Sequence, residues 1–435
     1  MSRRIYFDGL NLSLEHGTGI ATYARLLARL VRDLGYDVGV VYSARSRPPV
    51  DPLLREIGFF DQPGAAGVGP FRSFYHHAVD QLTTFRNITP KPVMLSGAII
   101  TEHYQSLLPL RDEIFVARNL FSNARTLFKW SGRFAELKFA ARPDIMHCTY
   151  QLPIRARGAC NIYTIHDLVP LRLPFATLDN KRQTYRLLCR IAAEADHIVT
   201  VSEQSRRDII KLLRVGPDRV TNTYEAVEFP REYIERPDAL VAEQIEAALQ
   251  LERDGYLLFF GAFEPKKNVA RLIDAYLLSA VDIPLVITGP PGWGTEGEAA
   301  LLRQLADEER SGGRRRRRFH RLEYVSRSML ATLIRGARAV LFPSLYEGFG
   351  LPVLEAMLLG TPVVTSRTSA LPEVAGDAAL FVDPYDTEDI ARAIKTIAAD
   401  ADLRRELVRR GRVQAELFSV DRYRERVAAL YQRLV

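Results

Sequence analysis

Short runs of β-branched and aromatic residues alternate with longer stretches of helical periodicity along almost the whole chain. A parallel strand buried on both faces reads as a short apolar run, and its crossover to the next parallel strand needs a helix. The alternation therefore predicts an α/β protein with doubly wound parallel sheets. Expected strands fall at residues 5–7, 38–42, 145–148, 162–165 and 198–201 in the first half. In the second half they fall at 256–260, 285–288, 340–342, 362–365 and 379–382. At 435 residues the chain exceeds what one core usually supports. The segment 224–238, with two prolines and many charges, marks a boundary between two domains. The expected division is 1–230, 231–412 and a closing helical stretch, 413–435.

Composition narrows the class without choosing a function. Apolar residues make up 47% and charged residues 26%, as in ordinary globular domains, and no apolar run is long enough to span a bilayer. Cys148, Cys160 and Cys189 are odd in number and lack metal-ligand spacing, so they read as reduced thiols of a cytoplasmic protein. The net charge of +7 favours an anionic partner, whether a phosphorylated substrate, a membrane surface or nucleic acid. Five arginines at 314–318 follow two glycines and precede a strand-like run, so they read as a solvated loop. Residues 116–140 form one amphipathic helix candidate. Leu120, Phe121, Ala124, Leu127, Phe128 and Phe134 lie on one side, opposite Arg118, Arg125, Lys129 and Arg133. Such a helix covers a sheet or lies against an anionic membrane.

The densest chemical signal is EGFGLPVLE, residues 347–355. Pro352 suits the first turn of a helix and Gly360 suits its end, so a helix starts near Leu351. Gly348, Phe349 and Gly350 bring backbone N–H groups to that helix N-terminus, where an anion is favoured. Glu347 in the loop and Glu355 about one turn inside offer two acceptors for hydroxyl groups. In the first half, EHGTGIATYARLLARL from Glu15 leads from a loop into a helix near Ile20, and Gly17 and Gly19 permit close approach of a ligand. A dinucleotide fingerprint fails there, because Thr22 replaces the third small residue and no acidic residue closes the second strand. His166 ends a strand and faces the side where open α/β sheets bind ligands. Ser202 opens another strand-to-helix turn and reads equally as an N-cap.

With these residues in place, the chain resembles the retaining GT-B glycosyltransferases of family 4. Glu347 and Glu355 match that family's paired glutamates. GAFEPKKNVARLIDAY at 261–276, GPPGW at 289–293 and SALPEVAGDAALFVDP at 369–384 are similar to its donor-domain turns. The resemblance implies two Rossmann-like domains facing a central crevice, with the acceptor on the first and the nucleotide sugar on the second. It implies donor contacts from Gly17, Thr18, Gly19, Ser202, Gly261, Lys266, Lys267, Gly289, Glu347, Gly348, Phe349, Gly350, Leu351 and Glu355. His166, Lys267 and Glu347 would serve catalysis, with the diphosphate charge met by lysine. Ala262 stands where many relatives carry an arginine, which leaves Lys266 as the second cation. The local wording looks most like bacterial mannosyltransferases of polysaccharide synthesis. GDP-mannose is thus the expected donor and a saccharide or lipid-linked saccharide the acceptor. Neither metal, cofactor nor nucleic acid is expected to take part. Other sugar donors, and a hydrolase or epimerase on the same fold, are the alternatives these motifs leave open.

Overall fold

A computed structural model describes residues 3–13, 19–61, 88–100, 112–290, 292 and 319–434. Gly17, Thr18, Trp293 and the arginine run at 314–318 lie outside the described residues.

The first half builds one eight-stranded sheet. Its strands are β1 (Arg4–Asp8), β2 (Asp37–Ala44), β3 (Lys91–Val93) and β4 (Glu113–Arg118), then β6 (Ile145–Cys148), β8 (Cys160–Thr164), β9 (His197–Thr200) and β10 (Val220–Asn222). They lie in the order β10-β9-β8-β6-β1-β2-β4-β3, and only the β3–β4 pair is antiparallel. β5 (Ala135–Leu137) and β7 (Ile154–Ala156) form a small parallel pair beside it. The second half builds a six-stranded parallel sheet from β11 (Leu257–Phe260), β12 (Leu285–Thr288), β13 (Phe319–Leu322), β14 (Ala339–Phe342), β15 (Val363–Ser366) and β16 (Ala379–Val382). Its order is β13-β12-β11-β14-β15-β16. Each sheet therefore reverses its direction of growth beside its own first strand, at β1/β6 and at β11/β14. Loops leaving the carboxyl ends of such a pair diverge and open a crevice between them.

Every strand expected from the sequence is present, displaced by no more than two residues at either end. β3, β4, β5, β7 and β10 were not anticipated. The helix expected across 116–140 is corrected. Residues 113–118 pair as β4 between β2 and β3, Asn119 turns the chain in a left-handed conformation, and the helix runs only over Leu120–Ser131. Gly132, at φ 69°, donates its N–H to Phe128 O and ends it, and β5 follows. Helical periodicity alone could not see that EIFVAR, apolar and β-branched, fills the slot beside β2. Phe121, Phe128 and Phe134 are 5–7% exposed and pack into the core on one face of the first sheet. The apolar face proposed for a membrane is thus spent on the sheet. No helix among the described residues is long and apolar enough to cross a membrane.

Two helices close the chain. Ala401–Glu416 packs on the helix Leu351–Leu358, with Gly411 against Met357. After a break at 417–419, Val420–Leu434 returns to the first sheet. There Tyr431 Oη lies 2.6 Å from His147 Nδ1, and Arg433 donates to Thr221 Oγ1 at 2.8 Å. Burial holds His147 neutral, pushing its pKa down to about 3, so the imidazole serves as a hydrogen-bonding node between Tyr431 and Thr164.

Candidate active site

The second sheet supplies a wall of paired charges. After β11 the chain makes one tight helical turn, Pro265–Lys267, and after β14 it loops through 343–350 into the helix Leu351–Leu358. These loops flank the β11/β14 switch point, so two segments eighty residues apart meet. Leu345 N donates to Lys266 O at 2.7 Å, fixing one loop on the other. Lys267 Nζ donates to Glu347 Oε1 at 2.7 Å and rests 4.8 Å from the Phe342 ring centroid. Lys266 Nζ lies 3.9 Å from Glu347 Oε2 and 3.6 Å from Glu264 Oε2. Burial works against the charge on Glu347, yet Lys267 and Lys266 overcome it and hold the carboxyl below its usual range. Burial likewise opposes the charge of Lys266, and Glu347, Asp167 and Glu264 outweigh it, raising its pKa. Lys266 is therefore a cation at neutral pH, and the two neighbouring ammonium groups suit a diphosphate.

Glu355 is half-buried one turn into the helix. Burial pushes its pKa up to about 7, with Arg327 and Lys267 too weakly placed to reverse the shift. The two glutamates thus differ in character: Glu347 is a fixed anion, Glu355 is poised to gain or lose a proton near neutrality. Gly261 and Gly289 leave the ends of β11 and β12 and touch: a side chain on Gly289 would come within 1.9 Å of Gly261 O. Only glycine permits this approach, at φ 150°.

The first sheet supplies a wall of hydroxyls, carboxylates and one imidazole. Asp8 at the end of β1 accepts from Thr149 Oγ1 at 2.8 Å, across the β1/β6 switch point. Thr149 O lies 3.0 Å from His166 Nε2, while His166 Nδ1 lies 3.0 Å from Glu225 Oε1. The His166 ring meets the edge of Tyr23 at 4.8 Å. Burial disfavours imidazolium, but Glu225 outweighs it and raises the pKa of His166. His166 is 7% exposed and spends both nitrogens on protein partners. Ser202 is fully buried and caps the helix Glu203–Leu213, its Oγ accepting from Ser205 N at 3.0 Å.

The two walls meet over Gly348. A side chain there would come within 2.8 Å of His166 O and 2.9 Å of Asp167 Cβ, so the closeness of the halves depends on its absence. Ser205 Oγ donates to His166 O at 2.9 Å and lies 3.3 Å from Gly348 O. Glu373 reaches across to accept from Glu203 N at 2.8 Å and Gln204 N at 3.2 Å, capping a first-half helix with a second-half carboxylate. Tyr346 bonds Asp208, and Arg172 lies 3.6 Å from the same carboxylate. Gly19, the first residue of the helix Gly19–Asp33, faces Leu351. Phe349 is buried against Phe418, with ring centroids 5.4 Å apart. Gly350 precedes the helix at Leu351. Sequence reasoning missed Asp8, Ser205, Glu225, Tyr346 and Glu373. Glu373 lies in the recognised 369–384 segment, but no spacing connects it to Glu203. Among the described residues, no group of three or more His, Cys, Asp or Glu side chains is placed to hold a metal ion.

Paired parallel sheets with facing switch points and a lysine–glutamate pair at one of them define a nucleotide-sugar-type GT-B architecture, and the comparisons agree. Residues 241–414 match the family described as Glycosyl transferases group 1, and residues 98–228 match Glycosyltransferase Family 4. The O-antigen chain mannosyltransferase B of Escherichia coli is 36% identical over 275 residues, covering 62% of this chain and 69% of that one. The serotype-specific mannosyltransferase WbdA of Escherichia coli is 29% identical over 58% of this chain, and the match spans only 31% of that longer protein. HepE of Anabaena, solved in complex with UDP and glucose, superposes with a TM-score of 0.65 at 15% identity, covering 99% of this chain and all of that one. The chain belongs to the GT-B glycosyltransferases of family 4.

Proposed function

We propose that this hexosyltransferase moves mannose from GDP-mannose, with retention of anomeric configuration, to a saccharide or lipid-linked saccharide acceptor in cell-surface polysaccharide synthesis. The observation that carries the reading is the buried Glu347 carboxylate held by Lys267 at the entry to the helix Leu351–Leu358. Mannose is supported by the names of the relatives, two of which are mannosyltransferases.

In this reading Lys267 and Lys266 receive the diphosphate, Glu347 takes hydroxyls of the sugar and Glu355 takes those of the ribose. The bond from the anomeric carbon to the diphosphate oxygen breaks, and its electron pair leaves with GDP. Charge building on that oxygen is met by the two ammonium groups and by backbone N–H groups at the helix entry. The acceptor hydroxyl attacks from the same face and passes its proton to the departing phosphate, so no side-chain base is needed. The close fit of Gly348 on His166 excludes water and limits hydrolysis of the donor. The protein supplies position and electrostatics, and lysines take the part a metal plays elsewhere. The net charge of +7 supports work at the cytoplasmic face of an anionic membrane carrying the acceptor.

A thermal-shift screen of nucleotide sugars tests the donor. GDP-mannose is expected to raise the melting temperature most, and a larger shift with a UDP- or dTDP-sugar would reassign it. Product analysis with acceptor saccharide then separates transfer from hydrolysis, and release of free mannose alone would overturn the transferase reading.

A further inference from the structure

A cleft of about 410 Å³ opens on the first sheet, away from the lysine–glutamate wall. It lies where the carboxyl ends of β1 and β2 meet the first turns of the helix Leu120–Ser131, and Leu10 and Phe121 are its apolar lining. Around them stand four hydroxyls, from Ser13, Ser43, Ser122 and Thr126, together with the guanidinium of Arg125. Ser13 donates to Leu10 O, whereas Ser43, Ser122 and Thr126 have no side-chain hydrogen bond among the described residues. Arg125 is exposed and has no ion pair among the described residues. A guanidinium fork without a carboxylate among the described residues, sharing one cleft with uncommitted hydroxyls, is a donor set for an anion attached to a polyol. The volume falls in the range of small-molecule sites and exceeds what a lone inorganic anion fills.

The cleft also communicates with the crevice. Leu10, in its lining, donates its N–H to Asp8 Oδ1 at 3.2 Å; Asp8 holds Thr149, and Thr149 O meets His166. A ligand in the cleft is held by first-half residues alone, whereas the wall assigned to the donor belongs to the second half.

We propose that this cleft binds a negatively charged part of the acceptor, with Arg125 taking a phosphoryl or carboxylate group and the surrounding hydroxyls taking those of the adjoining sugar. The proposal rests on the transferase reading for the word acceptor, but the binding itself is testable without it. Arg125 is then a specificity determinant, selecting acidic or phosphorylated acceptors over neutral ones.

The test is a ligand-observed NMR titration of the full chain in excess GDP, which occupies the donor side. The probes are methyl α-mannoside, mannose 1-phosphate, glucuronic acid and inorganic phosphate, each run on the wild type and on Arg125→Ala. At least one anionic sugar is expected to bind about tenfold tighter than methyl α-mannoside and to lose that advantage in Arg125→Ala. The phosphoryl and carboxylate arms tell which anion the site selects. Equal binding of neutral and anionic sugars, or an unchanged preference in Arg125→Ala, overturns the proposal. Inorganic phosphate binding as tightly as mannose 1-phosphate overturns the sugar-recognition part. Affinity for GDP-mannose, measured in parallel, should be the same in both proteins. If the wild type binds no nucleotide sugar yet shows the Arg125-dependent preference, the donor reading fails and the cleft stands.

Discussion

The two sheets each carry a switch point beside their first strand, and the carboxyl ends around it differ in chemistry. On the second sheet, opposite charges are packed together: Lys267 and Lys266 keep Glu347 ionised against burial, and Glu347 does the same for Lys266. On the first sheet, Asp8, Thr149, His166 and Glu225 form a chain of hydrogen bonds, and the cleft beside Leu10 offers hydroxyls with one guanidinium that has no ion pair among the described residues. Charge pairs separated by a few ångströms can be reopened by a doubly charged diphosphate, which offers the lysines a stronger partner than one carboxylate. Hydroxyls suit the hydroxyl groups of a sugar ring, whose position must be controlled, and the guanidinium beside them suits an anion that the ring carries. The same kind of switch point can thus serve two kinds of ligand, because the loops at the strand ends differ.

The sharpest way to test the first wall is through its support. Phe128→Ser should destabilise the protein by about 3–5 kcal/mol, since a buried ring leaves a cavity behind the first sheet. Chemical denaturation measures this. Retained stability with weakened liposome binding would return the helix Leu120–Ser131 to a membrane role. The second wall is tested by Glu347→Ala, which leaves Lys266 and Lys267 without their shared carboxylate. Turnover is expected to fall by roughly 100-fold or more while circular dichroism is unchanged; full activity with a verified acceptor would remove Glu347 from the site.

Glu355 separates the two glutamates by pH. If its carboxylate accepts from ribose hydroxyls, nucleotide affinity should rise severalfold as pH increases through about 7, and Glu355→Gln should flatten that profile. The stability sign is opposite. The folded form holds the proton up to about 7 and the unfolded form releases it near 4.5, so this group's contribution is complete at acidic pH and is lost as pH rises through 7. Wild-type affinity that does not change between pH 6 and 8 would break the distinction between Glu355 and Glu347. The smallest effect is expected at the seam. Glu373→Ala removes a helix cap joining the halves and should cost about 1 kcal/mol in urea unfolding, with a larger KM than kcat effect. A kcat loss alone would place Glu373 in the chemistry instead.

Much of the second wall was legible before any fold was known, because Glu347, the glycines, Pro352 and Glu355 occupy one continuous loop and helix start. Lys266 and Lys267 were legible as a motif, but their distance to Glu347 was not. The first wall was largely hidden. His166 stood out as the end of a strand, whereas its two partners, Thr149 and Glu225, lie 17 and 59 residues away and carry no motif. The misread helix at 116–140 shows the same limit. Its amphipathic pattern was real over Leu120–Ser131, but whether EIFVAR continued the helix or joined a sheet depended on β2 being there to receive it.

The sequence by itself determined the alternation of strands and helices and the helix entry that carries Glu347 and Glu355, since each depends on neighbours within a few residues. Tertiary structure alone decided that Lys267 pairs with Glu347, that Gly348 seats on His166, that Glu373 caps a helix of the other half, and that Arg125 faces a cleft without a carboxylate partner among the described residues. Those contacts depend on where two sheets place their strand ends. A short-range pattern cannot encode that position, because it is set by the summed packing of both cores.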